Sequence, residues 1–218
     1  MSPPVPIVHL VDDDASFLAA AARLLRAHGF EVRTFANAHA MLGESSAQTR
    51  GCVVADLRMP GASGLDLQSA LARSCPGLPI VFLTGAGDIA STVRAMRGGA
   101  EDFLEKRCPE AQLVAAVRRA LDRDARTRPE RDRVQALRAR FEALSARERE
   151  VLAQVVRGRM NKQIAAELGI HERTVKLHRT SITTKLQVRS AAELVRLAQA
   201  AGLLDDTESD PHVFPKGQ

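Results

Sequence analysis

Across its first 121 residues the chain alternates short apolar runs with segments of helical period, and this alternation limits the fold more than any other feature. The runs "PIVHLV" (6–11), "FEVRTF" (30–35), "CVVA" (52–55), "PIVFLT" (79–84) and "EDFLEK" (101–106) have strand length. Between and after them, segments 15–29, 37–45, 64–74, 88–98 and 109–121 place apolar residues three and four apart, as helices do. Asn37 is a candidate N-cap and Pro109 a first-turn residue. A helix after every strand returns the chain to the same end of the sheet, so the strands run parallel and both faces need helical cover. The predicted architecture is a doubly wound α/β domain with a five-stranded parallel sheet.

In such sheets ligands sit beyond the carboxyl ends of the strands, at the point where strand order reverses. The residues predicted there are Asp12 and Asp13 after the first strand, Asp56 after the third, Thr84 after the fourth and Lys106 after the fifth. Each has an ordinary explanation when taken singly: Asp56 as a turn residue, "DDD" as a helix cap, Lys106 as a solvated strand end. Together they put three carboxylates in a small space, which calls for a hard cation. Mg²⁺ fits, because it is held by a few carboxylates while keeping waters and phosphate oxygens as its other ligands. A carboxylate nucleophile beside Mg²⁺, a lysine and a hydroxyl is an arrangement for accepting a phosphoryl group.

Composition separates the two halves of the chain. Residues 1–121 carry 12 Lys/Arg and 12 Asp/Glu, whereas 122–218 carry 19 and 14, so the whole formal excess of +5 lies in the second half. A neutral domain joined to one that meets a polyanion is the reading. All seven aromatic residues are Phe, so the cores are built from Ala, Leu, Val and Ile. Cys52, Cys75 and Cys108 show no CxxC spacing and read as reduced thiols. The N-terminus lacks a basic leader segment, and no apolar run reaches membrane length, so a cytoplasmic protein without a membrane partner is expected.

Residues 122–141 alternate in charge around Pro129 and read as an exposed helical linker broken near that proline. Four short helices are predicted over 142–203: 144–158, opened by a Ser145/Glu148 capping box, then 161–170, 172–186 and 190–202. The acidic tail 204–218 reads as disordered. The second and third of these helices form a helix-turn-helix. Val175, His178, Ile182 and Leu186 make an inward stripe, with His178 read as a structural histidine. Arg173, Lys176, Leu177, Thr180 and Thr183 fall on the other side, as the reading face of a recognition helix would.

"HLVDDD", "VVADLRMPGASGLDL", "VFLTGAGD" and "AMRGGAEDFLEK" resemble the receiver domain of two-component response regulators, a flavodoxin-like fold, over residues 5–121. "LSAREREVL", "NKQIAAELGI", "TVKLHRTSITTKL" and "AAELVRLA" resemble the DNA-binding domain of the FixJ/NarL (LuxR-type) class over 144–201. The first resemblance implies that Asp56 takes a phosphoryl group from a sensor histidine kinase. It also implies that Asp12, Asp13, Asp56 and the Arg58 carbonyl hold Mg²⁺, and that Thr84, Phe103 and Lys106 read the phosphate. The second implies base contacts from Lys176, Leu177 and Thr180, with Asn161, Lys162, Arg173, Arg179 and Arg189 against phosphates of a double-stranded operator. A homodimer formed through 88–107 on phosphorylation is expected, with RNA polymerase a further partner. One departure stands out: the lysine of this family is usually followed by Pro, often in a cis peptide, but here the sequence is "KRCP". A non-proline cis bond costs about 3 kcal/mol, and the sequence leaves the Lys106–Arg107 peptide open between cis and trans.

Two rival readings remain at this level. One is a Mg²⁺-dependent phosphatase with an aspartyl-phosphate intermediate, which usually wants a second acid two residues after the nucleophile, where this chain has Arg58. The other is a DNA-binding regulator that uses its receiver only to dimerise, independently of phosphorylation.

Overall fold

The computed structural model describes residues 7–85 and 89–203. The expected tail 204–218 lies outside them. The chain forms two compact units, 1–131 and 132–218. Among the described residues no helix is long and apolar enough to cross a membrane.

In the first unit the strands β1 (Ile7–Val11), β2 (Glu31–Phe35), β3 (Cys52–Asp56), β4 (Ile80–Thr84) and β5 (Asp102–Glu105) form one parallel sheet in the order β2-β1-β3-β4-β5. Side chains alternate between its faces, and each face carries its own core. On one, Val8, Leu10, Val54, Val81 and Leu83 pack against α1 (Ala15–Ala27) and the first turns of α5 (Glu110–Glu142). On the other, Val11, Val53, Ala55, Ile80 and Phe82 pack against α2 (Ala38–Glu44), α3 (Gly64–Ser74) and α4 (Ile89–Arg97). The central strands β3 and β4 are buried at every position, which explains their unbroken apolar sequence. Strand order reverses at β1 and β3, so Asp12 and Asp56 end neighbouring strands at the switch point.

The expected break at Pro129 does not occur: α5 is continuous from Glu110 to Glu142 with the proline inside it. A proline in a helix interior removes one hydrogen bond and costs about 3 kcal/mol. Two ion pairs brace the helix there, one before the proline and one across it. Asp124, fully buried, accepts from Arg128 one turn on and from Arg131 beyond the proline. The same carboxylate accepts from the Gly51 N–H at 2.9 Å, while Arg131 also donates to the Pro76 carbonyl at 3.3 Å. The charge alternation of this segment therefore contains a buried ion-pair cluster gripping the loops before β3 and β4.

The second unit packs α6 (Ala146–Val156), α7 (Asn161–Leu168), α8 (Glu172–Leu186) and α9 (Ala191–Ala200) around Val151, Leu152, Ile164, Val175, Ile182, Leu186 and Leu194. The Ser145/Glu148 capping box is formed. Gly169 ends α7 in the left-handed region (φ 64°), a conformation with almost no steric cost for glycine, and this sets the turn into α8.

Candidate metal centre and nucleic-acid interface

The three consecutive aspartates after β1 do three different things. Asp14 caps α1, accepting from the Ser16 and Phe17 N–H groups. Asp13 is exposed, and Asp12 is turned inward with 1% exposure. The loop is folded by the Asp14 N–H, which donates to Asp12 Oδ1 at 3.0 Å. Asp56 ends β3, also buried, and the Arg58 N–H donates to its Oδ1 at 3.3 Å. One carboxylate oxygen from each of Asp12, Asp13 and Asp56 lies within 4.8 Å of the others. All three are hard oxygen donors, and the exposed Asp13 opens the cluster to solvent, so the donor set suits Mg²⁺.

Lys106 follows β5 and reaches across the strand ends. Its Nζ lies 2.6 Å from Asp12 Oδ2 and 2.9 Å from Asp56 Oδ2, and 4.6 Å from the ring centroid of Phe17. The Lys106–Arg107 peptide is trans, and the lysine bridges both acids. Burial opposes the charge on Lys106, but hydrogen bonds to Asp12 and Asp56 outweigh it and hold the ammonium above its usual pKa. Burial pushes the Asp12 carboxyl up, with the Lys106 contact acting against it.

Thr84 ends β4 with 1% exposure, and its Oγ1 has no hydrogen-bond partner among the described residues. Phe103 on β5 is half-buried, its ring tilted against Phe82 at 6.3 Å between centroids. Sequence reading singled out all of these positions except Phe17. It also missed Gly64, at the start of α3: a Cβ there would lie 2.4 Å from the Asp56 carbonyl oxygen and 2.9 Å from the Phe82 ring. Only glycine lets α3 begin this close to the phosphoacceptor candidate.

In the second unit, Val175, Ile182 and Leu186 of α8 are buried, and His178 is half-buried on their side. Arg173, Lys176, Leu177 and Thr180 are exposed, with Leu177 at 64%. A leucine so exposed, amid basic residues, is an apolar probe of the kind that meets thymine methyls. The Thr180 hydroxyl donates to the Lys176 carbonyl and that of Thr183 to the Thr180 carbonyl, so Thr180 offers outward a methyl group and acceptor lone pairs. Thr183 is half-buried rather than on the open face. Lys176 is 3.8 Å from Glu172. At the start of α7, Asn161 Oδ1 accepts from Arg179 at 2.9 Å, which brings two of the expected phosphate contacts together, beside an exposed Lys162. Arg189, in the α8–α9 turn, is exposed.

Glu148 holds α8 in place, a role that its capping box conceals. Only 5% exposed, its carboxylate accepts from the Ser145 N–H, from Ser181 Oγ at 2.6 Å and from Lys185 Nζ at 2.7 Å. The Lys185 and then Ser181 hydrogen bonds pull its pKa down from 4.5 to about 2. A carboxyl whose folded pKa is depressed stabilises fully above its unfolded value and loses that contribution as pH falls through the folded one. Thermal melts of the full chain are therefore expected to show Glu148 contributing above about pH 4.5 and ceasing to do so towards pH 2. The variant Glu148→Gln should lose about 1.5–3 kcal/mol at neutral pH and show a flatter decline in acid.

Residues 8–118 match the family described as the response regulator receiver domain, and 142–198 match the LuxR family of bacterial regulatory proteins. Nodulation protein W of Bradyrhizobium diazoefficiens is 45% identical over 90% of this chain and 87% of its own length. The transcriptional regulatory protein FixJ of Azorhizobium caulinodans is 40% identical over 94% of this chain and 97% of its own. Among solved structures, the response regulator StyR is 47% identical, with a TM-score of 0.57, covering 89% of this chain and 98% of that one.

Proposed function

Because the chain belongs to the response regulators that join a receiver to a LuxR-type DNA-binding domain, we propose that it is a transcriptional regulator switched by phosphorylation of Asp56. The observation that carries this reading is the placement of Asp12, Asp13, Asp56, Thr84 and Lys106 at one end of one sheet, in the same chain as an exposed basic helix face. The donor is a phosphohistidine of a cognate sensor kinase. An Asp56 carboxylate oxygen forms a bond to phosphorus as the P–N bond breaks, and its electron pair returns to the leaving imidazole. Mg²⁺ held by Asp12, Asp13, Asp56 and the Arg58 carbonyl would neutralise charge on the phosphoryl oxygens. Lys106 then pairs with one phosphoryl oxygen, and the unpartnered Thr84 hydroxyl donates to another. Arg58 stands where an aspartyl-phosphate phosphatase usually has its second acid, which disfavours turnover.

Drawing Thr84 inward moves the β4–β5 face that carries Phe103. Ile89, Val93 and Met96 of α4 are exposed apolar residues spaced along one helix face, and they support dimerisation through 88–107. A dimer suits two operator half-sites. Lys176, Leu177 and Thr180 read bases, while Asn161, Lys162, Arg173, Arg179 and Arg189 bind phosphate. RNA polymerase is a further partner of this reading.

The test is binding to a selected pool of DNA duplexes, with and without acetyl phosphate and Mg²⁺, paired with gel filtration in beryllofluoride. Dimerisation and affinity that both rise on activation support the switch. Equal binding and an unchanged oligomer would instead favour the phosphorylation-independent regulator. Within the same assay, Lys162→Ala and Arg173→Ala should weaken all sequences alike and each reduce the log–log salt slope by about 1. Leu177→Ala should instead cost about 1–3 kcal/mol on the preferred sequence only.

A further inference from the structure

A cavity lies at the foot of the sheet, at the other end of β1 from Asp12. In the register of β1 with β2, His9 is directly opposite Arg33, and Ile7, His9, Arg33 and Phe35 share the α2 face. Helix α2 is too short to cover this face. Its seven residues rise about 10 Å, whereas the five residues of β1 extend about 16 Å. The uncovered end, walled by the α2–β3 loop, is a cavity of about 200 Å³.

Its floor is Ile7, Phe35 and Met41. His9, 94% buried, stacks on Phe35 with 6.1 Å between ring centroids. The ring's Nε2 lies 3.0 Å from the Arg50 carbonyl oxygen, which can only accept, so Nε2 carries a proton. Burial lowers the pKa of this histidine, with Arg33 adding to the effect and the Arg50 carbonyl opposing it, so the ring is neutral near pH 7. Nδ1 is then a lone-pair acceptor, and it has no partner among the described residues. Of the neighbouring hydroxyls, Ser45 Oγ donates to the Met41 carbonyl and Thr49 Oγ1 accepts from the Ser46 N–H, and neither donates to His9 Nδ1. At the rim stand the exposed Arg33 and Arg50, whose guanidinium groups have no ion-pair partner among the described residues, and a single carboxylate, Glu44.

A buried acceptor left unpaired costs about 1–3 kcal/mol. An occupant that removes this cost needs an O–H or N–H for Nδ1, an apolar body for Phe35 and Met41, and negative charge for the rim arginines. A dry cavity of ~150 Å³ already admits benzene, so this one has room for a substituted ring. We propose that the cavity is a binding site for a small hydroxylated carboxylic acid, its hydroxyl donating to His9 Nδ1 and its carboxylate lying between Arg33 and Arg50.

The full chain, labelled with ¹⁵N-histidine, is titrated with 2-, 3- and 4-hydroxybenzoate and with lactate, using benzoate and phenol as probes that each lack one group. At least one hydroxy acid should shift the His9 Nδ1 resonance saturably at millimolar concentration, with the matching benzoate or phenol binding at least tenfold more weakly. Arg33→Gln and Arg50→Gln change exposed side chains and should leave the fold intact while weakening the hydroxy acid tenfold and phenol not at all. His9→Phe should abolish the preference for the hydroxyl. No saturable shift from any hydroxy acid, meaning a cavity that holds water only, would overturn the proposal. So would binding that the two arginine variants leave unchanged.

Discussion

Asp56→Asn is expected to reduce phosphorylation by acetyl phosphate on the order of 100-fold or more, to background, because an amide oxygen lacks the charge that makes the carboxylate a nucleophile. The change is nearly isosteric. Lys106 keeps its 2.6 Å contact with Asp12, and repulsion within the acidic cluster falls, so the melting temperature should stay close to that of the unaltered chain. Intact-mass spectrometry after incubation with acetyl phosphate and Mg²⁺ reads the first effect, and calorimetry the second. DNA affinity should no longer respond to the phosphodonor. A variant that still gained mass at an acid-labile, hydroxylamine-sensitive site would place the phosphoacceptor elsewhere.

Asp124→Ala should destabilise the first unit by about 3–5 kcal/mol, the usual cost of removing one partner from a buried ion pair. It removes the carboxylate partner of Arg128 and Arg131 and the acceptor of the Gly51 N–H in one step. Asp124→Asn should cost less, since its amide oxygen can still accept from Gly51. With the cluster gone, the contacts of Asp124 that brace the helix at Pro129 are lost, and the helix around it should open. Urea unfolding measures the first effect. Limited trypsinolysis, with new cleavage after Arg126 or Arg131, measures the second.

Comparing these residues shows what the sequence could and could not reveal. Helix periods, the Asn37 and Ser145 caps and the strand ends were legible because the interactions that fix them lie within a few residues. The cluster at the carboxyl ends of the strands was legible too, since strand–helix alternation sends every such end to one side of the sheet. Asp124 was not: its accepted N–H lies 73 residues away, and its local pattern is that of a solvated face. Glu148 was recognised only as a cap, because Ser181 and Lys185 stand 33 and 37 residues on. Pro129 misled for the complementary reason, since the local rule for helix breaking takes no account of the hydrogen bonds that tie Asp124 and Arg131 to Gly51 and Pro76. His9 looked like any other member of an apolar strand, and only the shortness of α2 leaves its ring beside a cavity.

On the proposed function, the buried Thr84 hydroxyl sets stability against signalling. An unpaired buried hydroxyl carries a standing cost of about 1–3 kcal/mol, which a phosphoryl oxygen on Asp56 would cancel. That release favours the phosphorylated state by the same amount, a bias of roughly 5- to 150-fold at 1.4 kcal/mol per tenfold. Selection for thermostability alone, applied to the resting protein, would tend to replace the hydroxyl with a methyl group. The hardier protein that resulted would have lost part of the free-energy difference by which its two states are told apart.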